Sequence, residues 1–352
     1  MESIPILLSV KRFLRILIAH FLYYTGVLNL LINRKLKNKA VVLMYHRVLD
    51  KEEISSSYSQ NCIIVSKKSF AAQMKYLQSH LNAISLDDTI HSLKNKTPFP
   101  PKCCLVTFDD GWKDNYQNAY SILRKHKIPA TIFLPTDYIG TNKHFWQERL
   151  NKSLIRLYQH CTKDISYRNK ALKRFQNDEL SKILYSNQND VKENIASFIS
   201  KNKKQGQAKV DAVMQQIEDF SEVSSANEDQ DRDFMSWEEI KEMAGDGIKF
   251  GSHGKSHTIL TEAIVDLHQE LSASKSTIES HLSLTIKSFS YPNGDYTNKI
   301  TGQARQHGYE IAFGTEPGFI TREDNPYTLK RINIHEDMTN SMPMFVARIA
   351  GL

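Results

Sequence analysis

Short apolar runs recur along the chain, and each is closed by a polar or glycine-containing turn. Ala40-Val41-Val42-Leu43-Met44-Tyr45-His46 is apolar almost throughout, as a strand covered on both faces must be. Phe70, Met74 and Leu77 then fall at intervals of four and three, which predicts a helix that Ser66 or Ser69 can cap. Ala83–Leu86 reads as a short second strand, and Pro98, Pro100 and Pro101 break the chain ahead of the run Cys104–Phe108. A helix over about Asn115–His126 carries Ala119, Ile122 and Leu123 on one face, and Ala130–Pro135 is the next strand. Strand, helix and strand joined by a few residues is the grammar of a parallel α/β sheet.

That alternation stops at about residue 143 and resumes after 233. Between these limits Leu150, Leu154, Leu157, Ile183, Leu184, Ile195 and Phe198 sit at helical spacings among many polar residues, with no strand pattern. The segment 143–233 is expected to be a helical insertion, loosest over Ser221–Asp231. Beyond it, Ser236 and Glu239 form a capping box for a helix ending near Gly245. A strand over Ile248–Ser252, a helix over Thr261–Leu282, a strand over Ile286–Tyr291, a helix over Asn298–His307, and strands near Tyr309–Phe313 and Tyr327–Ile334 complete the series.

The amino terminus follows another rule. Phe13–Ile32 is an apolar run of about 20 residues, enough to reach across a bilayer. Arg15, His20 and Asn29 interrupt it, and Lys11, Arg12, Arg34, Lys35, Lys37 and Lys39 flank it. Residues 1–38 are therefore expected to associate with a membrane surface as an interfacial anchor, with the cytoplasmic face marginally favoured by the flanking charge. The net charge of +7 comes with no aromatic-plus-basic nucleic-acid motif, so no nucleic-acid partner is expected. Cys62, Cys103, Cys104 and Cys161 form neither a metal motif nor a disulfide ladder. Oligomeric state leaves no mark in the sequence.

The chemistry gathers at strand ends. Thr107-Phe108-Asp109-Asp110-Gly111 places two carboxylates at the carboxyl end of a buried strand, where α/β sheets open their ligand crevices. Adjacent carboxylates repel, and the pair asks for a cation. In Ser252-His253-Gly254-Lys255-Ser256-His257 the spacing of four puts two imidazoles on one side of a helical turn, directly after another strand. An Asp-His-His set leaves coordination positions open, as a catalytic metal requires.

These two motifs resemble those of the polysaccharide deacetylases of carbohydrate esterase family 4, the NodB-homology domain. Leu43–Val48, Phe289–Gly294 (Phe-Ser-Tyr-Pro-Asn-Gly) and Leu329–His335 add supporting matches, so the likeness covers about residues 40–140 and 235–336. The resemblance implies a distorted (β/α)7-type barrel over 39–352 and metal-dependent removal of N-acetyl groups from amino sugars of a polysaccharide or lipid-linked glycan. By position, Asp109 matches the family's general base, and Asp110, His253 and His257 match its ligands for a divalent metal ion, zinc first among them. The backbone N–H of Tyr291 matches an oxyanion donor, His335 the general acid, and Pro292 and His46 line the site. Ser290 stands where many members carry an arginine that orients the base, which leaves open how Asp109 is held.

Two other functions are compatible with the same residues. One is hydrolysis of a different non-peptide amide on the same barrel, since fold does not fix substrate. The other is a glycan-binding protein with impaired chemistry, against which the intact set Asp109, Asp110, His253 and His257 argues.

Overall fold

Strands form where the apolar runs are, and their lengths set a curled sheet. The computed structural model describes residues 3–188, 190–203, 207–221, 232–262 and 265–352. The strands are β1 (Lys39–Tyr45), β2 (Arg47–Leu49), β3 (Ile64–Ser66), β4 (Asn82–Ala83), β5 (Cys103–Phe108) and β6 (Ala130–Leu134). They continue with β7 (Lys249–Ser252), β8 (Ser288–Ser290), β9 (Ile311–Phe313), β10 (Phe319–Thr321) and β11 (Ile332–Asn333). The main sheet runs β10-β1-β5-β6-β7-β8-β9, with β11 also on β1 and β4 on β5, while β2 and β3 pair separately. Every pairing in the main sheet is parallel except β1 with β10.

The segment after β10 draws the two edges together. Leu329 bridges Phe313 of β9, and Ile332 pairs in parallel with Leu43 of β1, so one short stretch touches both ends of the sheet. The result is a distorted barrel whose β5 is buried at every position and whose β1 is buried beyond Lys39. Val42, Leu105, Phe133, Phe313 and Ile320 meet in its core.

Two compact units account for the chain, one of Met1–Ser55, Asn61–Thr141 and Phe234–Leu352, the other of Ser56–Gln60 and Asn142–Asp233. The second unit is helical, with Trp146–Lys163, Ile165–Phe175, Asp178–Leu184, Val191–Lys203 and Gln207–Ser221. Leu150, Leu154, Leu157, Ile183, Leu184, Ile195 and Phe198, picked out by spacing, all belong to its own apolar core. Of the stretch expected to be loose, Ser221 ends the last of these helices, and 222–231 lie outside the described residues.

Several elements depart from expectation for local reasons. Ser85 closes a capping box with Asp88, so Leu86 opens a helix to Lys94 where a strand was expected to continue. The helix expected from Thr261 begins after Asp266, whose carboxylate accepts from the N–H groups of His268 and Gln269. β10 and the helices Glu336–Thr339 and Met342–Ile349 carry no periodic signal long enough to read.

Candidate active site

Five strand ends deliver the candidate residues to one end of the barrel. His46 follows β1, Asp109 and Asp110 follow β5, His253 and His257 follow β7, Tyr291 and Pro292 follow β8, and His335 follows β11 by one residue. This is the carboxyl-terminal face, where barrels of parallel strands hold their chemistry.

Asp109 is buried and fully engaged. Nη1 and Nη2 of Arg331 donate to its two oxygens at 2.8 and 2.7 Å, a bidentate fork, and Ser290 Oγ donates to Oδ2 at 3.3 Å. Arg331 itself has no exposed surface. Its Nε donates to the Gly314 carbonyl at 2.9 Å, its Nη2 to Ser290 Oγ at 2.8 Å, and its guanidinium lies 5.8 and 5.7 Å from the ring centres of Phe133 and Phe313. Burial alone would raise the Asp109 pKa; the Arg331 charge and its hydrogen bonds, with help from His253, bring it below the ordinary carboxylate value. Arg331 is the functional residue that motif reasoning passed over. The available signal was an arginine between Leu329 and Ile332 inside the expected strand Tyr327–Ile334, where a buried position has no water to offer it.

The pair of carboxylates therefore does not share one cation. Arg331 answers Asp109, and Asp110 is left to a different set of partners. Asp110 Oδ1 lies 3.4 Å from His253 Nε2 and 3.2 Å from His257 Nε2, while its Oδ2 accepts from Trp112 Nε1 at 2.9 Å. Burial opposes its ionisation, and the imidazoles of His253 and His257, where they carry a proton toward it, hold it well below the usual range.

The geometry of this triangle fits a metal. Ligand bonds of about 2.0–2.2 Å in a tetrahedral site place neighbouring donors about 3.3 Å apart. One donor atom each from Asp110, His253 and His257 lies within 4.8 Å of the others, and no other such group occurs among the described residues. His253 Nδ1 donates to the Ser290 carbonyl at 2.7 Å, which fixes the tautomer that leaves Nε2 bare toward Asp110.

The histidines are not on a helical turn. The stretch from His253 to His257 is a loop, with Gly254 at φ 80° and His257 at φ 59°. Glu270 is what shapes it: its carboxylate accepts from the backbone N–H of Lys255 at 2.7 Å, the N–H of Ser256 at 3.1 Å and Ser256 Oγ at 2.5 Å. A Cβ on residue 254 would approach Glu270 Oε2 to 2.8 Å, so the loop needs glycine there for space as well as for its backbone angle. Asp110, another ligand candidate, also has a positive φ of 74°. Non-glycine residues held in this region cost energy and cluster at functional sites. Replacing Glu270 by glutamine is expected to weaken metal affinity about 10- to 100-fold, as loss of a ligand's support does. Isothermal titration with zinc reads this directly, and unchanged affinity would remove Glu270 from that role.

The remaining candidates fare unequally. The Tyr291 N–H, expected to face an oxyanion, donates instead to the Phe313 carbonyl at 3.0 Å as part of the β8–β9 pairing, and Tyr291 is fully buried. Pro292 is buried at the start of the turn Pro292–Gly294. His46 and His335 are half-buried, and each has a buried Nδ1 with no hydrogen-bond partner. Burial lowers the pKa of both. In His46 the charges of Asp110 and Asp109 pull the other way, whereas in His335 the opposing charge is Asp337.

A curled, mainly parallel sheet carries at its carboxyl-terminal end an Asp-His-His set that could hold a metal ion and a separately held carboxylate, the parts of a hydrolytic site. The sequence pattern of the polysaccharide deacetylases matches residues 96–199 and 197–312, and the chain belongs to that family of polysaccharide-deacetylating hydrolases. YxkH of Bacillus subtilis, assigned to the polysaccharide deacetylases, is 24% identical over 306 residues, which cover 86% of this chain and 74% of YxkH. The poly-β-1,6-N-acetyl-D-glucosamine N-deacetylase of Staphylococcus epidermidis is 31% identical over 185 residues, 48% of this chain and 64% of that enzyme. The match thus spans less than two thirds of that relative. The fold is shared with IcaB from Ammonifex degensii, at a TM-score of 0.56 and 19% identity, over 89% of this chain and 97% of IcaB.

Proposed function

We propose that the protein is a divalent-metal-dependent N-deacetylase, with zinc as its ion, acting on a β-1,6-linked poly-N-acetylglucosamine. The observation that carries this reading is the Asp110–His253–His257 triangle beside a carboxylate, Asp109, that has its own counter-ion. The polymer is suggested by the 31% identical relative that acts on it.

A divalent ion on these three side chains would polarise an amide carbonyl and lower the pKa of a nearby water. Asp109 is ionised and oriented by Arg331, so it can accept the proton of an attacking water without first losing one of its own. The amine must leave protonated. Of the two half-buried imidazoles, His46 is the one whose charge environment includes both Asp109 and Asp110, which supports it over His335 as the donor. The charge of His46 acts on His335 and helps to lower its pKa.

Acetate release from β-1,6- and β-1,4-linked N-acetylglucosamine oligomers tests the proposal. Release is expected from the β-1,6 series, to be abolished by a chelator and to return with zinc. A protein that binds zinc in equimolar amount and releases nothing from either series would overturn the substrate assignment. Release unaffected by chelation would overturn the metal.

A further inference from the structure

The helix Ser3–Tyr24 is apolar on two opposite sides, and the fold covers only one. Arg15, Ile16, Ala19, Leu22 and Tyr23, three and four residues apart, form the covered side. Ala19 is buried, and Arg15 donates to the Leu352 carbonyl at 2.9 Å and meets Met338 Sδ at 3.6 Å, against the C-terminal helix Met342–Ile349. The other side presents Phe13, Leu14, Leu17, Ile18, Phe21 and Tyr24, each at least half exposed. Leu30 of the following helix Val27–Lys35 joins them at 68% exposure. Seven of the eleven large apolar side chains that stand exposed among the described residues therefore lie in one helical hairpin. A contiguous patch of this kind marks an interaction surface.

Charge and shape narrow the occupant. No aspartate or glutamate occurs between Ser3 and Leu49, and Arg34 in the last turn of the second helix and Lys37 and Lys39 beyond it are exposed. An apolar face on a stretch that carries only positive charge complements an anionic lipid surface. No single helix among the described residues is long and apolar enough to cross a membrane; Phe13–Tyr24 and Val27–Lys35 reach that length only together, across a bend of 86°. Gly26, at φ 79°, makes that bend. Arg15 sits in the middle of the helix and is tied to the protein, which leaves the opposite side for the membrane.

We propose that this hairpin is an in-plane foot: the face of Phe13, Leu17, Phe21 and Tyr24 lies in the headgroup region of one leaflet of an anionic membrane and does not cross it. The proposal stands on the hairpin alone and does not depend on the deacetylase reading. Its contact with Met338, three residues from His335, ties the foot to the strand end that carries a candidate site residue.

Vesicle co-sedimentation of the full chain tests it, with neutral phosphatidylcholine vesicles and with vesicles of about one-third phosphatidylglycerol. The expected result is binding that requires the anionic lipid and falls at least about fivefold in Phe13→Ser/Leu17→Ser/Phe21→Ser, whose outward positions leave the packed side intact. In Phe21→Trp, the added fluorescence is expected to be quenched by bromines placed shallow in the acyl chains. Three outcomes would overturn the proposal. They are equal binding by the triple variant, quenching only by bromines at the bilayer centre, and a stable dimer in solution that shields Trp at position 21 without lipid.

Discussion

Replacing Asp109 by asparagine is expected to lower kcat by about 10²–10⁴-fold while zinc still binds in equimolar amount. The substitution keeps the size of the side chain and removes only its ability to take a proton. The three donor atoms of Asp110, His253 and His257 are untouched, so titration with zinc should find one site in the variant as in the parent. The substitution also leaves the Arg331 guanidinium buried without a counter-charge, and loss of one partner from such a pair costs about 3–5 kcal/mol. Thermal unfolding must therefore be followed beside the assay, and kcat measured well below the variant's midpoint. Turnover within tenfold of the parent, in a folded variant with zinc bound, would take the base role away from Asp109. His46→Gln and His335→Gln in the same assay separate the two imidazoles, with the larger loss expected at His46.

The base and metal-ligand candidates were legible in the sequence because their spacing is local: Asp109 and Asp110 end one apolar run, and His253 and His257 follow another. Their setting was not. A spacing of four suggested a helical turn, but Glu270, thirteen residues beyond His257, pulls the loop open through the N–H groups of Lys255 and Ser256. Likewise, two adjacent carboxylates were read as wanting one shared cation. Arg331 stands 222 residues from Asp109, and only the closure of the sheet through Leu329 and Ile332 brings them together. The Tyr291 N–H is committed to Phe313 by the pairing of β8 with β9, which the sequence does not register either. Long-range pairing of short strands leaves no periodic trace, whereas the core of the second unit, at helical spacing, was readable residue by residue.

Replacing Arg331 by methionine is expected to cost about 3–5 kcal/mol of stability at neutral pH and to reduce kcat/KM by at least about 100-fold. Methionine has nearly the length of arginine and suits the apolar surroundings beside Phe133 and Phe313, so packing is not the principal loss. The loss is electrostatic. In the parent, the folded-state pKa of Asp109 lies below its unfolded value, so its ionisation contributes stability above the ordinary carboxylate pKa of about 3.9, and that contribution disappears as pH falls through the folded value. Without Arg331, burial is the dominant influence and raises the same pKa, so the variant favours the protonated acid. Its deficit relative to the parent should thus be largest near pH 7 and shrink toward pH 4, a trend that urea unfolding at the two pH values reads directly. The acid limb of kcat/KM should move to higher pH for the same reason. Arg331→Lys keeps the charge but not the two-pronged fork and should fall between. Asp109→Asn/Arg331→Met removes both charges and should recover stability relative to either single variant, without recovering turnover. Parental stability and a parental acid limb in Arg331→Met would show that Asp109 is held by something else.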